Sequence, residues 1–201
     1  MTTTHKGILL GVLAMALVVT ASNILVRYPI GAFLTYGAFT YPIAFLVTDL
    51  TNKLLGPGAA RKVVLAGFAL GVVLSLWLAY PRIAIASGTA FIVAQMLDVS
   101  IFDKLREGTW WRAPLASTLI GSALDTILFF SLAFGASFAF LGPNEDWALA
   151  PAPLLGVGAQ APFWMSLAVG DFLVKLLLAL IALVPFRAIV LQLAPRVKRG
   201  A

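Results

Sequence analysis

The stretch Gly121–Phe134, GSALDTILFFSLAF, holds a single charged residue, Asp125, in a run that ends among phenylalanines. What that carboxylate means depends on the solvent around the helix, and composition decides the solvent. Of 201 residues, 61% are hydrophobic and 11% charged, and the mean hydropathy is +1.00. A soluble domain carries about 25% charged residues. The apolar stretches also recur in lengths near the ~20 residues that a helix needs to cross ~30 Å of hydrocarbon. The sequence therefore predicts an all-α membrane protein, one polytopic transmembrane domain over residues 1–201, with Asp125 deep in the bilayer.

Six spans are predicted: Gly7–Val26, Pro42–Gly56, Val63–Tyr80, Ile83–Phe102, Leu115–Phe140 and Phe163–Val184. The first carries Ala14-Met15-Ala16, which resembles a signal-peptide cleavage site, but the uncharged run continues to Val26, too far for a cleaved leader. The aromatic stretch RYPIGAFLTYGAFTYP, Arg27–Pro42, reads as an interfacial loop or re-entrant turn. Trp110 and Trp111 beside Arg112 fit an aromatic belt. GILLG and GFALG are small-xxx-small patterns that close helix packing explains.

Basic residues give an independent check, because cytoplasmic loops hold most of the Lys and Arg. With six spans, eleven basic residues fall on one side (Lys6, Lys53, Arg61, Lys62, Lys104, Arg106, Arg112, Arg187, Arg196, Lys198, Arg199) and two on the other, Arg27 and Arg82. Both termini are thus expected in the cytoplasm and the chain in the cell inner membrane. A net charge of +6 distributed this way is no nucleic-acid footprint. The chain has no cysteine, which excludes disulfides, thiolate chemistry and Cys-based zinc sites. The lone histidine, His5, lies in a short polar tail, so no metal or cofactor is expected.

A rise of ~1.5 Å per residue places Asp49 about 11 Å into its span, Gln95 about 18 Å, Asp125 about 16 Å and Asp171 about 13 Å. Four helices thus bring polar groups to one level and predict a polar midplane cavity. Three intramembrane aspartates cost on the order of 10 kcal/mol together, tolerable only where they face one another, a cavity or a partner. Structural acids that lock helices together are the alternative reading. Lys175, the fourteenth basic residue, follows Asp171 by one turn on the same face and is too deep to snorkel easily, so it is expected inside, paired with an acid. Lys53, near a helix end, can reach the headgroups. Asp98 follows Gln95 by one turn, Asp103 reads as a solvated loop charge, and Asn23 stands at the outer end of the first span.

Enzyme motifs are missing. There is no G-x-x-x-x-G-K-[ST] phosphate loop. The stretch AVGD, Ala168 to Asp171, departs from the Gly-x-Gly-Asp of intramembrane aspartic proteases, and Lys175 opposes a dyad sharing one proton.

Four stretches carry a resemblance: TYGAFTYPIAFLVTDLTNKLLGPGAAR (35–61), RIAIASGTAFIVAQMLDVSIFDKLR (82–106), WWRAPLASTLIGSALDTILFF (110–130) and GDFLVKLLLALIALVP (170–185). In this order they resemble the queuosine precursor transporter family, a branch of the vitamin uptake transporters, with the likeness reaching from Ser22 to Pro185. The resemblance implies a non-enzymatic six-helix protein that imports 7-deazaguanines, 7-cyano-7-deazaguanine or its 7-aminomethyl relative, for queuosine salvage. It implies substrate contacts from Asn23, Asp49, Gln95, Asp98, Asp125, Asp171 and Lys175. The loop Asn144–Gln160 shows no resemblance. A carboxylate can accept the ring N–H and exocyclic amine of a deazaguanine together, while its carbonyl needs a donor such as Gln95, Asn23 or Lys175; Phe91, Phe129 and Phe130 are candidates to stack on the ring. Two arrangements stay open at this level: a homodimer, and a substrate-binding subunit energised by a separate ATPase complex.

Cysteines introduced near Arg61, Lys104 and Lys198 should react with an impermeant reagent only from the cytoplasmic side, and one at Asn144 only from outside. Labelling of the Asn144 site from the cytoplasm would rule out the six-span arrangement.

Overall fold

The structure is a computed structural model that describes residues 3–199, with side chains from Thr4 to Ala194. The side chains of Arg196, Lys198 and Arg199, counted above on the cytoplasmic side, lie outside the described set. In chain order come helix α1 (Thr3–Leu25), a hairpin of β1 (Pro29–Ile30) and β2 (Leu34–Thr35), short helix α2 (Gly37–Thr40), α3 (Ile43–Leu55), α4 (Pro57–Leu78), α5 (Pro81–Leu105) and α6 (Arg112–Phe134). A single turn α7 (Asp146–Leu149), a hairpin of β3 (Pro151–Pro153) and β4 (Gln160–Pro162), and the long α8 (Phe163–Arg199) complete it. Among the described residues five helices are long and apolar enough to cross a membrane: α1, α4, α5, α6 and α8.

The second predicted segment differs in kind. Helix α3 has 13 residues, too few to cross alone, but α2 precedes it directly. The two linking residues, Tyr41 and Pro42, both keep right-handed helical dihedrals. Tyr41 N–H still donates to Gly37 O and Phe45 N–H to Pro42 O, while Pro42, lacking an N–H, interrupts the ladder. Residues 37–55 therefore form one broken helix, and the predicted loop before Pro42 supplies its first part.

Two other boundaries move. The fifth span ends at Phe134, not Phe140, because Gly135 turns extended (ψ 129°) and a 3₁₀ turn, Ala136–Leu141, follows. The last helix does not stop near Val184. It continues through Pro185 to Arg199, since a proline removes only one intrahelical hydrogen bond when packing holds the flanking turns. Sharp reversals are built locally: Gly56, at φ +89°, adopts a conformation other residues avoid and sets Pro57 into the first turn of α4.

Packing is inverted relative to a water-soluble protein. Leu17 and Leu76 are each 73% exposed, whereas Thr48, Asn52, Gln95 and Asp98 are buried. Hydrocarbon solvates leucine but not amides or acids, so polar groups turn inward and satisfy one another. Both small-residue patterns pack within the chain. Gly7 and Gly11 face Leu55 and Val63, and Gly67 and Gly71 face Met15 and Val19, drawing α1 against α3 and α4. On α6 a Cβ at Gly121 would come 2.8 Å from the Phe45 ring of α3 and 3.4 Å from the Ala94 carbonyl of α5.

The two ends of the bundle are built differently. At one end Lys53 Nζ donates to the Arg106 carbonyl at 2.7 Å and Arg106 to the Asn52 carbonyl at 3.2 Å, closing α3 onto the end of α5. Lys53 is thus held by protein, and Asp103 pairs with Arg106 at 3.1 Å. Arg187 lies over the Trp110 ring, 5.1 Å from its centroid. At the other end Arg82, read from sequence as a loop charge, is only 5% exposed. Its guanidinium donates to the carbonyls of Leu132, Gly135, Gly142 and Pro143 and to Asn144 Oδ1 at 2.7–3.2 Å, fastening the segment after α6.

Arg82→Met should leave several carbonyls without a donor, at about 1–3 kcal/mol for each one that stays buried. The expected result is a melting temperature lower by several degrees and a new protease cut within residues 135–144. Lysine at this position, with one ammonium in place of the five-donor fork, should recover less than half of the loss.

Candidate functional site

The reversals after α1, α4 and α6 enclose a cavity of about 560 Å³, within the range of small-molecule sites. Its floor is ionic. Lys175, on α8 and 3% exposed, donates to Asp125 Oδ2 on α6 at 2.7 Å, to Asp171 Oδ2 one turn earlier on α8 at 2.5 Å, and to Thr126 Oγ1 at 3.0 Å. All three ammonium protons are used. Thr126 Oγ1 donates in turn to Asp171 Oδ2 at 3.0 Å, and Tyr41, at the break between α2 and α3, donates to Asp125 Oδ1 at 2.8 Å. The Tyr41 ring also lies 5.5 Å from Lys175 Nζ.

Two consequences follow from this wiring. Both oxygens of Asp125 are occupied from within the protein, whereas Asp171 Oδ1 has no donor among the described residues, and the Asp171 side chain is the more exposed of the two, at 17% against 5%. One ammonium against two carboxylates also leaves a formal −1 at the cavity floor. The site is built to accept hydrogen bonds and to hold positive charge.

The walls are aromatic. Phe129 and Phe130 on α6 meet at 5.0 Å between centroids, Phe130 meets Phe134 at 6.1 Å, Phe134 meets Trp147 of α7 at 5.5 Å, and Trp147 meets Phe163 at the start of α8 at 6.1 Å. Phe33 of the β1–β2 turn continues the series at 5.9 Å from Phe163. All six line the cavity, from its floor to its mouth, and offer π-faces to a planar guest. Asn23 also lines it. Its amide donates to Val19 O at 2.9 Å and its carbonyl accepts from Ser75 at 3.4 Å.

The seven residues implied by the sequence resemblance do not assemble as one group. Asn23, Asp125, Asp171 and Lys175 line the cavity, but Asp49, Gln95 and Asp98 do not. Those three form a separate buried cluster between α3, α5 and α6: Ser117 and Thr118 donate to the two oxygens of Asp49 at 3.2 and 3.1 Å, Thr48 donates to Gln95 Oε1 at 2.6 Å, and Asn52 donates to the Val99 carbonyl at 3.0 Å, next to Asp98. Phe91 packs on Tyr41 at 6.1 Å, behind the cavity wall. Phe33, Tyr41, Phe134, Trp147 and Phe163 are cavity residues that the sequence does not single out. Tyr41 and Phe163 stand beside prolines and Phe33 and Trp147 in predicted loops, which an interfacial belt explains equally well, and Phe134 lies inside a predicted span with nothing to distinguish it.

A family profile described as "Putative vitamin uptake transporter" matches residues 35–80 and 74–190. The queuosine precursor transporter of Escherichia coli (strain K12) is 33% identical over 88% of this chain and 83% of its own length. The probable queuosine precursor transporter of Haemophilus influenzae is 34% identical over 81% of this chain and 70% of its own. The chain belongs to the queuosine precursor transporter family, within the vitamin uptake transporters. A probable queuosine precursor transporter of Bacillus subtilis is 26% identical over 85% of the chain. No solved structure matches the chain. The family match spans the loop that carries Trp147, and of the seven residues above only Asn23 falls outside it.

Because Lys175 serves two acids, its removal strands both. Lys175→Met should destabilise the protein by about 3–5 kcal/mol, the usual consequence of breaking a buried pair. Adding Asp171→Asn should restore part of the melting temperature and adding Asp125→Asn as well should restore more. A single Lys175→Met variant as stable as the parent would show that the ammonium is not held in this way.

Proposed function

We propose that this chain imports queuosine precursors, 7-cyano-7-deazaguanine and its 7-aminomethyl relative, across the inner membrane, as a six-pass protein with both termini cytoplasmic. The observation that carries the reading is the cavity floor, where two carboxylates and an ammonium meet beneath aromatic walls. The substrate class comes from the names of the relatives at 33% and 34% identity. The sixth pass is the broken helix, residues 37–55, about 28 Å long at ~1.5 Å per residue, and breaks of this kind are common where transporter helices meet their substrates. With the basic ends in the cytoplasm, the cavity mouth faces outward, toward the arriving precursor.

Recognition follows from the hydrogen-bond inventory. The ring N–H and exocyclic amine of a deazaguanine are adjacent donors, and Asp171, with Oδ1 free of donors among the described residues, is the first carboxylate able to accept them. Asp125 orients Lys175 and Tyr41 and lies beneath. The substrate carbonyl accepts a hydrogen bond from the Asn23 amide, or from Lys175 once an ammonium N–H is shared, and the ring stacks on Phe129, Phe130 or Phe134. In this reading Asp49, Gln95 and Asp98 do not touch the ring. The formal −1 favours the cationic aminomethyl compound over the neutral cyano compound.

Asp171→Asn should remove a charged hydrogen bond of about 1.5–3 kcal/mol, roughly ten- to a hundredfold in affinity. The loss should be greater for the aminomethyl than for the cyano precursor, because the floor charge falls to zero. Asp125→Asn should weaken binding and also lower the melting temperature, since it unfastens Lys175 and Tyr41. Equilibrium binding of both labelled precursors, with uptake into cells that cannot make them, is the measurement. Parent-like affinity of Asp171→Asn for both compounds would remove the site from the reading.

A further inference from the structure

The cluster away from the cavity has a feature that substrate recognition does not use. Asp49 is 2% exposed and Asp98 fully buried, and the Thr48–Gln95 and Asn52–Val99 hydrogen bonds, at 2.6 and 3.0 Å, lay α3 along α5 on either side of them so that the two acids face each other. Asp49 accepts a hydroxyl hydrogen bond on each oxygen, from Ser117 and Thr118. Neither oxygen of Asp98 receives a well-formed hydrogen bond among the described residues, and the nearby Ser117 hydroxyl donates to Asp49 instead. Gln95 Nε2, one turn before Asp98, and Asn52 Oδ1, one turn after Asp49, are likewise buried without partners.

Among the described residues no cation neutralises the pair. On α3, Lys53 is held by the Arg106 carbonyl, and on α5, Arg106 is held by Asp103 and the Asn52 carbonyl while Lys104 is exposed. On α4, Arg61 and Lys62 are exposed, as are Arg112 on α6 and Lys6 and His5 near the start of α1. On α8, Lys175 is committed to Asp125 and Asp171, and Arg187 lies over Trp110. Two facing carboxylates buried without a counter-charge are untenable. One proton on Asp98, donated to Asp49, removes one charge and supplies the missing hydrogen bond together.

We infer that Asp49 and Asp98 form a proton-binding site, separate from the substrate cavity, that couples precursor uptake to inward proton movement. A crevice of about 10 Å³, lined among others by Asp49, Pro42, Thr118 and Phe186, has room for one water beside the Asp49 carboxylate. The site is tied to the cavity by two elements. Tyr41 and Asp49 share the broken helix, two turns apart, and Asp125 shares α6 with Ser117 and Thr118, also two turns apart. A shift of the broken helix or of α6 as a whole that alters the Asp49–Asp98 contact therefore also bears on the Tyr41–Asp125 contact, which is the physical content of coupling between two sites. The inference rests on the transport reading above for its role, though not for the presence of the proton.

Purified protein in liposomes, given labelled 7-cyano-7-deazaguanine, tests the role. One coupled proton should support about tenfold accumulation of this neutral compound per unit of inward pH gradient. Asp98→Asn, whose amide replaces the protonated acid in donating to Asp49, should bring inside and outside concentrations only to equality. Asp49→Asn provides a second variant if the first does not fold. A purely structural acid would alter the rate or the yield of folded protein but leave the plateau ratio. Infrared difference spectra of parent minus Asp98→Asn test the proton directly, with a neutral carboxyl stretch that shifts in heavy water expected at neutral pH. Absence of that band, an unchanged plateau in Asp98→Asn, or accumulation driven by a sodium gradient in place of the proton gradient would overturn the inference. A parent protein that moves no precursor, but shows the band, would instead count against the transport reading alone.

Discussion

An ammonium held between two carboxylates in an apolar surround is the constraint on which the rest of this protein depends. Each charge alone would be too costly in hydrocarbon, so Lys175, Asp125 and Asp171 can be buried only together. Their mutual need fixes α8 against α6 in one register, and Tyr41 draws the broken helix to the same point through Asp125. Apolar packing in a lipid surround could not specify this, because a leucine is as well solvated by acyl chains as by a neighbouring helix. Polar contacts give the bundle its register, and close glycine packing gives it compactness.

The break at Pro42 makes that register useful. An unbroken helix over residues 37–55 would satisfy its own backbone. The proline leaves Tyr41 at the interruption, pointing its hydroxyl to the cavity floor. Above the floor, the α6 phenylalanines are joined by wall residues from segments that are not membrane-spanning helices, the β1–β2 hairpin and Trp147 of α7. Arg82 secures part of this upper structure by donating to carbonyls that the chain leaves unpaired where α6 stops. The positive charge at that end thus serves structure, while most basic residues at the other end remain exposed or close helix ends.

Two polar centres share α6 and the broken helix but differ in character. The cavity cluster carries its own cation and is open to a guest. The Asp49–Asp98 cluster has no cation among the described residues, is closed, and leaves several polar atoms without partners. A division of labour between recognition and energy coupling is a natural use of that difference, since one set of carboxylates can hardly accept a substrate edge and titrate independently of it.

The sequence by itself determined the solvent, the run of long helices, the presence of deep acids and the burial of Lys175. These follow from composition, span length and one-turn spacing, which are local quantities. It also located both cavity acids, because a carboxylate in an apolar run is conspicuous wherever it sits. Depth along a helix says nothing about direction around it, however, and that is why Asp49, Gln95 and Asp98 share a level with Asp125 in the sequence but face a different neighbour in space. For the same reason Arg82 read as a loop charge and the segment before Pro42 as a loop. Whether a polar side chain meets a cavity, a carbonyl or another acid depends on helix rotation and on what packs across the interface, and only the tertiary structure decided that.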